Sequence, residues 1–148
     1  MSSRLPLAWI DLRVFAHATE DTDKVLAAAR TIIPPEFLDA VVFEKTTLTG
    51  HHGNPITLLK ARIKNINIIQ EIFNKLSQSL DSLDKENLTG RLNQYLENGN
   101  LYIRLDKQSA YQNRLRLCPT DPVHLKIHFK KHDSQEIIDI CRRSGLIS

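Results

Sequence analysis

The 148 residues carry 20 Lys+Arg against 17 Asp+Glu, a net charge of +3, and contain no block rich in Pro, Gly or Ser that would read as a linker. A chain of this size buries roughly 70% of the surface its unfolded form exposes, so one domain over 1–148 needs no metal or disulfide to hold a core. No apolar run approaches the roughly 20 residues of a membrane helix, and Asp11 interrupts the opening segment before a secretory h-region can form. Cys118 and Cys141 form neither a CxxC pair nor a disulfide framework. A cytoplasmic protein with free thiols, no cofactor and no membrane contact is expected.

In chain order, residues 7–18 alternate as a strand. Ala8, Ile10, Leu12, Val14, Ala16 and Ala18 form the core column, and Trp9, Asp11, Arg13, Phe15 and His17 the other. Two aromatics on a polar face imply either a covering layer or a partly exposed platform, and covering is the commoner arrangement. Thr19 is the expected N-cap of a helix reaching Ile32, with Glu20, Asp21 and Asp23 in its first turn and Pro34-Pro35 ending it. Those carboxylates exclude an anion site at that helix start. Residues 43–49 and 56–63 read as a hairpin around GHHGNP, with Leu59, Ala61 and Ile63 inward and Leu58, Lys60 and Arg62 outward.

Asn65 or Asn67 caps a helix to Leu80 whose buried stripe is Ile68, Ile69, Ile72, Phe73 and Leu76. A second helix is expected over 83–97, with Gly99 as its left-handed C-cap residue. Residues 98–116 then hold a two-faced strand, with Leu101, Ile103 and Leu105 against Tyr102, Arg104 and Asp106. A loop carrying Lys107, Gln108, Tyr111, Arg114 and Arg116 follows it. Pro119 and Pro122 make 118–122 a turn. In the last strand, 123–129, Val123, Leu125, Ile127 and Phe129 face inward, and His124, Lys126 and His128 outward. Asp133 and Glu136 form a capping box for a final helix burying Ile137, Ile140 and Cys141.

The charge is local. Residues 1–100 hold 11 Lys+Arg against 12 Asp+Glu, whereas 101–148 hold 9 against 5. Between Arg104 and Lys131 seven cations face only Asp106 and Asp121. Such a patch fits a polyanion, although a solvated polar face is the plainer explanation. Interleaved with Trp9, Phe15 and Tyr102, the cations suit RNA better than a membrane, because aromatic planes stack on unpaired bases. His51-His52 with His17 invites a metal, but neighbouring residues of an extended loop point apart and no HxH or HExxH spacing supports them, so no metal is expected. Asp106, between Arg104 and Lys107, reads as an ion-paired group that orders the loop. No G-x-S-x-G, P-loop or paired-carboxylate motif is present.

Three motifs in order and spacing, HATED at 17–21, GHHGNP at 50–55 and NGNLYIRLDKQSA at 98–110, resemble the archaeal RNA-binding domain family described as predicted exosome subunits. The resemblance spans about residues 9–130 and leaves a C-terminal helical addition at about 133–148. His52 departs from the family pattern, where an aromatic, often Tyr, is expected. The resemblance implies an α+β fold like that of a 5S-rRNA-binding ribosomal protein: a mainly antiparallel sheet of about five strands with helices on one face. It also implies RNA binding, and proteins of RNA-degradation machinery as partners.

The leading reading is a non-catalytic, cytoplasmic RNA-binding protein of RNA processing or degradation. Arg104, Lys107, Arg114, Arg116 and Lys126 are expected on phosphate, Gln108 and Tyr111 on sugar or base, and His17, His51 and Asn54 along the neighbouring edge. Two alternatives stay open. One is an enzyme acting on RNA or a phosphorylated nucleotide through His17, His51 and Asp106; the other is an interaction module docking through the last helix.

Overall fold

Period-two alternation of apolar and polar residues yields strands β1 (Leu7–Ala16), β2 (Glu44–Thr49), β3 (Pro55–Ile63), β4 (Leu96–Glu97), β5 (Asn100–Leu105) and β6 (Val123–Phe129). In this computed structural model, which describes residues 5–130 and 133–148 apart from the side chain of His51, they form a six-stranded sheet in the order β2-β3-β1-β6-β5-β4. Every pairing is antiparallel. Joining β1 to β6 places the first and last strands at the centre of the sheet.

Helices α1 (Thr22–Arg30), α2 (Ile66–Ser79), α3 (Ser82–Arg91), α4 (Lys107–Tyr111) and α5 (Ser134–Ser144) complete the chain. The inward columns share one core with the helices: Leu12 and Val14 of β1, Leu59 of β3, Ile103 of β5 and Ile127 and Phe129 of β6 meet Val25 and Ala29 of α1, the predicted stripe of α2, and Ile137, Ile140 and Cys141 of α5. Phe73 of α2 meets Phe129 edge-on, ring centroids 6.1 Å apart. The final helix thus spends its apolar side on the core and turns Gln135, Glu136, Asp139, Arg142 and Arg143 outward. Because the core lies on one side, Arg13, Lys60, Arg62 and Arg104 stand exposed on the other face of the sheet, which α3 borders at β5, where Asp84, Asn87 and Arg91 share a hollow with Tyr102 and Arg104.

Several expectations are corrected. A register shift between Leu7 and Trp9 turns Leu7, rather than Ala8, into the core, and Ala18 lies beyond the strand and exposed. Helix α1 starts later than Thr19 because residues 17–20 first close a turn: Glu20 N–H donates to His17 O at 2.9 Å, and His17 N–H donates to Glu20 Oε1 at 3.0 Å. Asp21 then takes the cap, accepting from the Asp23 N–H. Between Gly50 and Pro55, His52 adopts a left-handed φ of 67° within the short turn His51–Gly53.

The sheet has six strands, one beyond the roughly five expected, because Asn98-Gly99 is a hairpin turn. Their φ values of 52° and 81° are both left-handed, the requirement of a two-residue turn matched to strand twist. The turn sets Leu96 against Leu101, so the helix expected to reach Glu97 stops at Arg91 and a short 3-10 segment, Leu92–Tyr95, leads into β4. Two glycines therefore respond oppositely to alanine. Gly99→Ala forces a Cβ into left-handed backbone and lowers stability by about 1–2 kcal/mol. Gly90→Ala, inside α3 with nothing within 4 Å of the added carbon, raises it by about 1 kcal/mol. Urea unfolding midpoints of the two variants check both signs.

Candidate nucleic-acid interface

The strand registers assemble the uncovered face. Arg13 lies opposite Lys60 on one side and opposite His124 on the other, and His124 lies opposite Arg104. In the next row Asp11 is paired in register with both Arg62 and Lys126, and Lys126 with Tyr102. These residues, with Val42 and Glu44 at the β2 edge, line an open groove of about 690 Å³, and Arg104 flanks it from β5.

The charges in the groove are not balanced. Arg62 gives two hydrogen bonds to Asp11, 2.7 and 2.9 Å, and Asp11 holds that guanidinium above its ordinary pKa chiefly through these bonds. The pair is internally neutral. Among the described residues, none of Arg13, Lys60, Arg104 and Lys126 has a carboxylate within ion-pair distance. Three such cations in the groove, with Arg104 on its β5 flank, mean a positive potential there. Their effect is visible on His124: burial first, then Arg13, Arg104 and Lys126, lower its pKa to about 4.

The aromatic groups divide. Trp9 stacks on His128 with ring centroids 3.9 Å apart and planes 17° off parallel, and the Arg62 guanidinium sits 5.1 Å from its ring centre. His128 comes from β6 and Arg62 from β3, on either side of β1, so both flanks of the indole are engaged inside the protein. Tyr102 stacks on His124, centroids 5.6 Å apart, within the groove. Phe15 is half-buried.

The loops after β1, β2, β5 and before β6 all leave the same end of the sheet, as the pairings Ala16↔Thr57, Thr49↔Pro55 and Leu105↔Val123 require. That end is held by a polar network. The Lys107 ammonium donates to Phe15 O at 2.8 Å and to both Glu20 oxygens, 3.0 and 3.2 Å, and lies 2.8 Å from Asp121 Oδ2. His17 Nε2 meets the other Asp121 oxygen at 3.0 Å. Burial pushes the Asp121 carboxyl up, but Lys107 and His17 outweigh it and leave the pKa below the ordinary value. His17, Glu20 and Asp121 offer ligand atoms within 4.8 Å of one another, a spacing compatible with a metal ion. The ammonium bonded to both carboxylates already meets that charge.

A family model described as RNA binding matches residues 9–129. The chain belongs to this RNA-binding family. An RNA-binding protein of Pyrococcus abyssi is 35% identical over 133 residues, covering 88% of this chain and 86% of its own. An uncharacterized protein of Methanocaldococcus jannaschii is 31% identical over 142 residues, covering 88% and 93%. Among solved structures, a DUF54 family protein from Archaeoglobus fulgidus superposes with a TM-score of 0.79 at 25% identity, over 93% of this chain and 99% of that one. A DUF54 protein from Methanothermobacter thermautotrophicus gives 0.75 at 26% identity, over 96% and 98%. The α+β fold is thus that of the family.

Within this family fold the expected site residues fall into separate groups. Arg104 and Lys126 belong to the sheet face. Lys107 does not present its charge outward: its side chain is 12% exposed and bridges Glu20 and Asp121. Gln108 and Tyr111 line a shallow groove with Glu20, Asp21 and Lys24 between α4 and α1. His17 is tied to Asp121, Arg114 and Arg116 are exposed on the segment after α4, and Asn54 is exposed at the hairpin tip. The side chain of His51 lies outside the described residues.

Asp106 orders its loop, but through Ser109 rather than Arg104 or Lys107. It caps α4 by accepting from the Ser109 N–H at 2.9 Å and hydroxyl at 2.7 Å. The Ser109 hydroxyl, then its N–H, hold the carboxyl below its ordinary range, with smaller help from Cys118 and Arg116. Arg13 and Lys60 were visible in the sequence as outward residues of alternating strands. Only the strand order brings them beside His124 and Lys126.

Proposed function

We propose that this family member binds RNA across the uncovered sheet face, with Arg13, Lys60, Arg104 and Lys126 on phosphates and Tyr102 available to a base or sugar. The observation that carries the reading is a groove holding Arg13, Lys60 and Lys126, flanked by Arg104, none of the four with a carboxylate within ion-pair distance among the described residues, on an RNA-binding family fold. Arg114 and Arg116, exposed on the segment after α4, extend the contact toward the loop end of the sheet. The role is non-catalytic binding in the cytoplasm, in archaeal RNA processing or degradation. This placement is supported by the resemblance to the family described as predicted exosome subunits and by archaeal relatives.

Binding of a single-stranded RNA should weaken with salt at a log-log slope near −2.8 for four phosphate contacts, or near −4.2 if Arg114 and Arg116 also engage. Absence of binding at 50 mM salt, or binding indifferent to salt, overturns the proposal. Labelled RNA incubated with the protein, with and without magnesium, should remain intact; cleavage lost in a His17→Ala variant would turn the reading to an enzyme.

A further inference from the structure

We infer that the His124 imidazole is itself a phosphate-binding group of the sheet face, uncharged in the free protein and taking up a proton as RNA docks. The inference rests on the RNA-binding reading above and adds a residue and a proton to it.

The geometry places His124 inside a ring of positive charge. Arg13 of β1 and Arg104 of β5 lie directly opposite it on the two neighbouring strands, and Lys126 follows two residues along on the same face. Lys60 and Arg62 approach from β3, one strand further. The carboxylates lining the groove are Asp11, bound by both of its oxygens to Arg62, and Glu44, which sits at the β2 edge opposite Lys60. Neither lies beside the imidazole in the strand registers. On the remaining side the Tyr102 ring stacks on it and offers no negative charge.

A half-buried imidazole in this setting stays neutral at physiological pH, since a further positive charge would meet three cations and reduced solvation. A phosphate drawn in by Arg13, Arg104 and Lys126 reverses the sign of that environment. It neutralises the repelling charges and supplies an acceptor for the N–H that protonation creates. Binding and proton uptake are therefore linked: RNA raises the proton affinity of His124, and lower pH raises affinity for RNA. The sign follows from a bound-state pKa above the free-state value of about 4. Affinity climbs as pH falls through the bound value and levels off only below the free one.

The test is a titration of labelled oligouridylate at constant salt between pH 7.5 and pH 5, chosen because uracil does not titrate there. Wild-type affinity is expected to rise roughly tenfold over this range, while His124→Gln binds with little pH dependence. On the unsubstituted protein, the NMR titration of the His124 ring should shift to higher pH when oligouridylate is added. Equal pH dependence in wild type and His124→Gln, or a ring titration that RNA leaves in place, overturns the inference. Tight but pH-independent binding by both proteins overturns it while leaving RNA binding intact. Failure of both to bind at 50 mM salt removes RNA binding itself.

Discussion

A variant with Arg13→Gln, Arg104→Gln and Lys126→Gln should lose about 500-fold in affinity for single-stranded RNA at 50 mM salt and still fold. Each phosphate contact contributes about 0.7 to the salt slope, so at this concentration one contact is worth about eightfold and three together about 500-fold. The salt slope itself should fall by about 2. Stability should hold or improve slightly, because these side chains surround His124 with like charge and have no carboxylate within ion-pair distance among the described residues. Loss of binding with gain of stability is the pattern of residues retained for function. Anisotropy titrations at several salt concentrations, paired with urea unfolding of the same protein, measure both. Unchanged affinity would move the interface elsewhere, with Arg114 and Arg116 as the next positions to neutralise.

The choice of those three positions shows what the sequence conveyed and where it stopped. Period-two alternation in residues 123–129 and helical spacing in residues 68–76 appear in the structure as the buried columns of β6 and α2, because burial on one side leaves a periodic imprint on the chain. The sixth strand left none. A two-residue β4 is too short to alternate, and Gly99 after an apolar helical spacing reads equally as a helix C-cap or as a hairpin turn. Cation density along the chain drew attention to residues 104–131. Density on the face is a different quantity, and it depends on β1 lying between β3 and β6, which brings Arg13 and Lys60 in from far upstream.

Lys107 gives the sharpest contrast, because its sequence neighbours make it a phosphate ligand while its spatial neighbours make it a clamp. Replacing it with Met should cost about 2 kcal/mol at neutral pH, below the roughly 3–5 kcal/mol of breaking a fully buried pair because Glu20 and Asp121 remain 32% and 39% exposed. For a chain of this size that corresponds to a fall in Tm of about 6 °C. Glu20, 87 residues away in sequence, then loses its ammonium partner, and so do Asp121 and the Phe15 carbonyl. The pH dependence follows in sign. The folded pKa of Asp121 is depressed, so its ionised form stabilises the protein above the unfolded value of about 3.8, and that contribution is lost as pH falls through the folded value. Without Lys107 the upward push of burial on Asp121 loses its main opponent, so the deficit of the variant should be largest near pH 7 and shrink below about pH 4. Well below its melting temperature, Lys107→Met should bind RNA with the wild-type salt slope. A slope smaller by about 0.7 at unchanged stability would restore Lys107 as a phosphate contact and dissolve the clamp.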